Sequence, residues 1–514
     1  MKRISILLLV LVVVATSFDV DARKRRTGRQ SSSSASQSTA LPTNVTTTES
    51  ELSYDAVSYF RRAQEGDAEA MFLLSQCFND GIGAKKDFKK AVYWANKASE
   101  NGCTAGTWYV AVAYETGEGV AESEAKAEEW YCKAYSQAYS KAQNGDPASQ
   151  YVMGKLYYYG DGGVEEDNDD AAYWFRKAAN NGFAPAMNQM GLLYQKGHGV
   201  EEDDEAANSW FLKAGKAGDS WGYNNLGLAY RDGIGVEQNY SKALEYFRKA
   251  ANMGHPSAMN QVGLRYWNGQ GVERDYATAQ RWFLKAGEAG EAWGYNNLGN
   301  DYRDGNGVAQ DYNKAYQYYL KAANMGNASS MNQVGLCYWF GRGVAKNVTT
   351  ANKWYLKAGE AGESWGYKNL ADNYRDGNGV TKSFTKAQEY YEKAVELGNS
   401  DAATALDNLI VGEGNKYIGD WEYYTGHAFI TISIHWYSNI DETDEDNWLY
   451  GEIYGGARTP FMDGEVVVGQ IRNGVLELSN SDGYDLTCRI VNGKLQITGL
   501  YGGNDRSKTT FTKS

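Results

Sequence analysis

The stretch Ala258-Met259-Asn260-Gln261-Val262-Gly263-Leu264-Arg265-Tyr266, with Gly269-Gln270-Gly271-Val272, Asp275 and Trp282-Phe283-Leu284-Lys285-Ala286 after it, decides the fold. Its Gly-x-Gly loop recurs nine times, with first glycines at Gly81, Gly117, Gly160, Gly197, Gly233, Gly269, Gly305, Gly341 and Gly377. Of the eight gaps between these glycines, six are 36 residues and the other two are 43 and 37. A fixed period of this size marks a row of small supersecondary units, each leaning on the next, because a lone unit has too little apolar surface to fold.

Within each unit the same residue types return at the same offsets. An aromatic stands three residues before the loop (Phe78, Tyr114 and so on to Tyr374), and a small residue stands six before it (Ser75, Ala111, Gly154 and so on to Ala371). A helix-capping type follows the loop: Asp87, Ser123, Asp167, Asp203, Asn239, Asp275, Asp311, Asn347 and Ser383. Four residues past each cap lies an alanine, then a Trp or Tyr, then Lys-Ala. The expectation is two helices per unit. The loop's first glycine ends helix A, where a left-handed residue costs least. The Asp, Asn or Ser side chain caps helix B, worth about 1 kcal/mol each. Small residues let helices approach, and aromatics fill the space between neighbours.

These units resemble Sel1-like repeats, relatives of tetratricopeptide repeats, over about residues 67–398. The resemblance implies an α/α solenoid that acts as a scaffold or adaptor and is not usually catalytic. It also implies that helix A lines a groove in which amide side chains hold extended peptides. Some secreted relatives join the helices of a unit by disulfides. Here Cys77, Cys103, Cys132 and Cys337 share no repeat position, so reduced and mostly buried cysteines are expected.

A second period of 72 lies above the first. Trp221-Gly222-Tyr223, Trp293-Gly294-Tyr295 and Trp365-Gly366-Tyr367 follow it, and so do Met187-Asn188-Gln189, Met259-Asn260-Gln261 and Met331-Asn332-Gln333. Helix A thereby carries the polar ladder Asn188, Asn224, Asn260, Asn296 and Asn332, broken by Lys368. An amide offers both donor and acceptor, which suits a peptide backbone or a sugar. These asparagines, with Trp221, Trp293 and Trp365, are the candidate groove residues. The bland reading is that the amides bond neighbouring helices and the aromatics pack.

The flanks differ. Lys2 and Arg3 precede an apolar run from Ile4 to Ala15 broken only by Ser5. It is shorter than the ~20 residues a membrane-spanning helix needs. With small residues at Val20-Asp21-Ala22, residues 1–22 read as a secretory signal peptide. No transmembrane segment is expected in the mature chain, which would be exported to a periplasm or the extracellular space. Residues 23–50, rich in Ser and Thr, read as a flexible linker. The solenoid with capping helices is expected over 51–411. From about Asn415 the pattern changes. Ile430, Ile432, Ile434 and Trp436 alternate with Thr431, Ser433 and His435, as in a half-buried strand. Asn473-Gly474 and Asn492-Gly493, with Asp482-Gly483 as a third candidate, read as hairpin turns. Residues 415–514 are therefore expected to form a small antiparallel β barrel or sandwich of eight strands. Its opening Gly419-Asp420-Trp421 faintly resembles the start of lipocalin-like barrels.

Composition narrows the chemistry. The 514 residues carry 51 Lys plus Arg against 64 Asp plus Glu, a net charge of −13. Such a chain lacks the basic stripe of a nucleic-acid binder and should prefer neutral or basic partners. With four histidines and five cysteines there is little material for His-based catalysis or a metal centre. His427 and His435 share the polar face of a strand, and His198 and His255 read as loop residues. The carboxylates of Asp441–Asp446 lack the spacing of a calcium loop. No catalytic residue, metal ligand or cofactor is assigned. The expected function is an exported, non-enzymatic scaffold holding a protein or peptide in the solenoid groove. A glycan-binding envelope protein is the alternative, and an enzyme with its site in the β domain is a third reading.

Overall fold

A computed structural model describes residues 40–414 and the backbone of eight strands between 419 and 513, with side chains described as far as residue 409. The expected signal peptide, the linker as far as residue 39, His427, Asp441–Asp446 and the three turn dipeptides of the β region lie outside the described residues. The chain forms two compact bodies, Met1–Asp311 and Tyr312–Ser514.

In the first body a short turn at Glu49–Glu51 and a leading helix, Asp55–Gln64, precede the repeats. Helices A and B then alternate: Ala68–Asp80 and Phe88–Glu100, Thr104–Thr116 and Glu124–Gln143, Pro147–Tyr159 and Asn168–Asn180, Ala184–Lys196 and Asp204–Lys216, Ser220–Asp232 and Tyr240–Asn252, Pro256–Asn268 and Tyr276–Glu288. Helix A of unit 7, Ala292–Asp304, closes this body. The second body holds Tyr312–Asn324, then Ala328–Phe340 with Val348–Glu360, Ser364–Asp376 with Phe384–Glu396, and a closing helix Ser400–Gly414. The closing helix runs three residues past the expected limit of residue 411.

The capping grammar is realised in the backbone. All nine loop glycines sit at the end of helix A in the left-handed region, from Gly81 at φ 75° to Gly377 at φ 80°. Asp87, Ser123, Asp167, Asp203, Asn239, Asp275, Asn347 and Ser383 each accept a backbone N–H in the first turn of helix B.

The core inside a unit is a ring on a glycine. A methyl group on Gly154 would lie 2.7 Å from Phe175, and one on Gly263 would lie 2.6 Å from Phe283. Gly191 meets Phe211, Gly227 meets Phe247 and, in the second body, Gly335 meets Tyr355 in the same way. These rings are fully buried. The residue on the glycine is the one after the repeating Trp or Tyr. The Trp or Tyr itself lies under a lysine three residues on, as in Trp210 with Lys213 and Trp354 with Lys357.

The 72-residue period also has a packing cause. Helix B of unit 4 meets helix A of unit 5 through two glycines: Gly215 lies against the Tyr223 ring and Gly222 lies against the backbone of Phe211 and Gly215. Gly287 with Gly294, and Gly359 with Gly366, repeat this contact at units 6 and 7 and at units 8 and 9. An amide then ties helix B to the next unit's loop. Asn208 Nδ2 donates to the Ile234 carbonyl at 2.8 Å, Gln280 Nε2 to Asn306 at 2.8 Å, and Asn352 Nδ2 to Asn378 at 2.9 Å. The units are therefore assembled as doublets.

In the second body eight segments have strand backbone: β1 Gly419–Thr425, β2 Ala428–Trp436, β3 Trp448–Gly455, β4 Glu465–Arg472, β5 Val475–Ser479, β6 Asp485–Val491, β7 Lys494–Tyr501 and β8 Asp505–Lys513. Each pairs antiparallel with the next, and β1 also pairs with β8 through Trp421 with Lys513 and Glu422 with Thr512.

Candidate partner-binding surface

The asparagine ladder lies inside the stack. Asn188, Asn224, Asn260, Asn296 and Asn332 are all buried, between 3% and 8% exposed. Asn225 Nδ2 donates to Asn188 Oδ1 at 3.0 Å, Asn297 to Asn260 at 2.9 Å, and Asn369 to Asn332 at 3.0 Å. Each bond joins the two helices A of one doublet. Asn296 accepts from Asn300 one turn along its own helix at 3.3 Å. The expected groove amides are thus turned into the helix–helix contact. Adjacent helical positions point about 100° apart, and the residues next to the ladder bridge to the neighbouring helix A: Asn297 and Asn369 are partly exposed, whereas Asn225 is buried.

In units 7 and 9 helix A leaves partly exposed a stripe at spacings of four, three and four. In unit 7 it runs Trp293, Asn297, Asn300, Asp304, and in unit 9 Trp365, Asn369, Asp372, Asp376. Trp293 is 49% exposed and Trp365 is 43% exposed, large values for indoles. Both sit in the first turn of helix A, where the backbone N–H of Trp293 reaches Glu291 Oε1 at 3.2 Å and that of Trp365 reaches Glu363 Oε1 at 3.4 Å. Below Trp365 the stripe is charged. Lys368 Nζ lies 5.7 Å from the indole centroid and 2.9 Å from Asp372 Oδ2. Asp372 also accepts from the Tyr391 hydroxyl at 2.5 Å and pairs with Arg375 at 3.1 Å.

Trp221, the third tryptophan of the set, is only half-exposed because the chain covers it. Its indole Nε1–H donates to Asp80 Oδ2 at 3.2 Å, across 141 residues of sequence. Asp80 is the last residue of helix A in unit 1. Its other oxygen accepts from Asn79 Nδ2 at 2.6 Å, and Asn79 Oδ1 accepts from the Tyr109 hydroxyl at 2.7 Å. The far side of the indole meets the His255 ring edge-on at 4.5 Å. Glycines let this contact close: a methyl group on Gly254 would stand 2.8 Å from the Tyr54 ring and 2.9 Å from the Gly83 nitrogen, and one on Gly81 would stand 3.2 Å from the Ala289 carbonyl oxygen.

Desolvation dominates the titration of this contact. It raises Asp80 to about 6, against the lowering effect of the Trp221 hydrogen bond and Lys86. It raises Asp219, the cap beneath Trp221, to about 7, with the Asp80 charge adding to the rise. It lowers His255 to about 3. His255 Nδ1 accepts the Ala258 N–H at 3.3 Å, so the histidine predicted as a loop residue is a buried helix cap.

The cysteines follow expectation where they are described: Cys77, Cys103 and Cys337 are buried, Cys132 is exposed, and all four are free thiols. Among the described residues there is no cluster of three or more metal-ligand side chains, and no helix is long and apolar enough to cross a membrane.

The model of the Sel1 repeat matches nine segments: residues 68–103, 105–139, 147–183, 184–219, 222–255, 256–291, 294–327, 328–363 and 366–399. The chain belongs to the Sel1 repeat family. Its repeats make an all-α solenoid of a kind that generally mediates protein–protein interaction and is typically not enzymatic. The chain is similar to a protective antigen of uropathogenic Escherichia coli strains displaying an SLR fold, with 29% identity over 69% of this chain and 82% of that one, at a TM-score of 0.38. It is similar to a Sel1 repeat protein from Oxalobacter formigenes, with 28% identity over 50% of this chain and 96% of that one, at a TM-score of 0.42. It is also similar to Helicobacter pylori cysteine rich protein B, with 28% identity over 26% of this chain and 96% of that one, at a TM-score of 0.23.

The sequence names the three tryptophans as candidates and does not single out Asn79, Asp80 and Tyr109. A signal was present: the Asp-Gly-x-Gly loops at Asp232, Asp304 and Asp376 follow an arginine that pairs with the aspartate, whereas Asp80 follows Asn79.

Proposed function

We propose that this Sel1 repeat protein is an exported, non-enzymatic scaffold that holds a protein or peptide on the exposed stripe of a helix A, with Trp293 the anchor in the first body and Trp365 the anchor in the second. The exposure of these two indoles at one repeat position carries the reading. Burying a large apolar side chain on association contributes roughly 1.5–3 kcal/mol, and tryptophans of this kind dominate many interfaces. The buried asparagines would tie together the helices A of a doublet and leave contact to Asn297, Asn300, Asn369 and Asp372. Export rests on the apolar run behind Lys2 and Arg3. The eight-stranded C-terminal segment would be a barrel domain serving as a second binding or anchoring module.

The test is capture of a partner from the source's envelope or medium by the full chain and by a Trp293→Ala, Trp365→Ala double variant. Loss of one specific partner in the variant, with circular dichroism unchanged, supports the reading. Equal capture by both proteins sinks it. Exposed indoles also stack on sugars, so tryptophan-dependent binding to a glycan array without a protein partner would favour the glycan reading.

A further inference from the structure

Trp221 already has an occupant, and that occupant describes what its uncovered copies are built to receive. We propose that Trp293 and Trp365 dock a protein turn of the type the chain itself places on Trp221: an aspartate at the end of a helix, followed by glycine, its carboxylate accepting the indole Nε1–H. This inference rests on the reading of the tryptophan stripe above and names the chemistry of its partner.

The three sites share their construction. Each indole follows a carboxylate cap by two residues, Asp219, Glu291 or Glu363, whose oxygen accepts the tryptophan's own backbone N–H. Each is followed by a glycine packed on the preceding helix B, so the backbone under the ring has the same support. At Trp221 the ring meets two groups: Asp80 on the nitrogen and His255 on the face. In unit 9 the residue in the place of His255 is Asn399, whose Nδ2 donates to Ser364 Oγ at 3.2 Å. A smaller residue turned to the helix cap accords with the greater exposure of Trp365.

The aspartate has to be held, because a free carboxylate keeps its water. In unit 1 it is held by Asn79, itself held by Tyr109, and Gly81 at φ 75° turns the chain away so that the carboxylate stands clear. A glycine immediately after the aspartate is therefore part of the recognised element: a side chain at that place strains the turn and fills the space against the Ala289 carbonyl. The chain's own later loops are poorly suited to supply such a turn, since Asp232, Asp304 and Asp376 are each engaged by the arginine before them. The occupant named here is an Asp-Gly helix end on a different protein.

The probe is a synthetic peptide copying residues 67–86, which keeps the Asp67 cap and has its helix locked by an i,i+4 side-chain staple away from Asn79 and Asp80. It is added to the full chain carrying fluorotryptophan, with each signal assigned by Trp→Phe substitution. The signals of Trp293 and Trp365 are expected to move on titration while that of Trp221 stays. An Asp80→Ala version of the peptide should bind roughly tenfold or more weakly, the worth of a hydrogen bond to a charged group. In a second arm, Asp80→Ala in the protein should shift the Trp221 signal towards those of its two copies and let the peptide move it. Unmoved Trp293 and Trp365 signals, equal binding of the Ala peptide, or a Trp221 signal unchanged by Asp80→Ala each overturn the proposal. Tryptophan-dependent partner capture without any peptide binding would overturn this inference and leave the stripe reading standing.

Discussion

Asn297→Ala separates the two roles an amide ladder can have. Asn297 Nδ2 donates to Asn260 Oδ1 at 2.9 Å, and Asn260 is buried. Removing the donor leaves that oxygen in the stack with no partner and no water. A net hydrogen bond is worth about 0.5–1.5 kcal/mol and an orphaned buried acceptor costs about 1–3 kcal/mol, so the orphaning decides the size. The expected loss is ~2 kcal/mol, felt locally where unit 6 meets unit 7. Asn260→Ala removes the acceptor and leaves Asn297 half-exposed, where water can reach its amide, so its loss should be nearer 1 kcal/mol. The double variant has nothing left to orphan. It should therefore fall short of the sum of the singles by about 1 kcal/mol, well outside the ~0.5 kcal/mol scatter of independent sites. The assay is a double-mutant cycle on the full chain by urea unfolding. Hydrogen exchange across Pro256–Asn268 and Ala292–Asp304 is measured alongside, because repeat arrays open in pieces. Additive single effects would refute the bridge. Unchanged stability with weakened partner binding would move the ladder from the stack to the ligand.

Four further outcomes are expected. Gly263→Ala gains ~1 kcal/mol of helix propensity but drives a methyl group to 2.6 Å from the Phe283 ring. Overpacking costs ~1–3 kcal/mol, so a net loss is expected in thermal melts, and Phe283→Leu should lessen the penalty of the Gly263→Ala change. Asn239→Ala, at the cap of Tyr240–Asn252, should cost ~1 kcal/mol, and a loss below the error of urea melts would deny the cap its role. Of Cys77, Cys103, Cys132 and Cys337, only Cys132 should react with a maleimide in the native protein, as read by mass spectrometry of the labelled peptides.

The fourth outcome concerns pH at the Asp80–Trp221 contact. Asp80 and Asp219 are raised to about 6 and about 7 in the closed contact, so the closed form binds protons more tightly than the opened one. Closure should strengthen as pH falls from about 8 to about 6.5 and weaken as it rises. His255, held to about 3, acts with the opposite sign below its ordinary 6.5, because opening lets it charge. Lys86 lowers Asp80 and Glu118 raises it; the Asp80→Asn variant should remove the share of Asp80 and keep that of Asp219, whose rise is chiefly desolvation. Exchange protection of residues 78–84, corrected for the intrinsic rate, reads the change, and a flat profile would refute it.

What the sequence alone determined about this protein is everything built from neighbours within about one unit. Nine left-handed glycines and the side-chain caps on helix B are short-range features, fixed by the residue and the few that follow it. The period itself implied a stack, because each helix pair has a face it cannot bury alone. The side of a helix was harder to read. Asn296 and Asn297 differ by a single step, and which of them faces the neighbouring unit depends on how closely Gly287 and Gly294 let two helices approach. The ring on each glycine is likewise Phe283 and not Trp282, a choice made by helix rotation. Only the tertiary structure decided that Asp80 lies on Trp221 while Trp293 and Trp365 stand open, because a contact across 141 residues depends on small unit-to-unit rotations summed over several repeats, and no local pattern of residues records that sum.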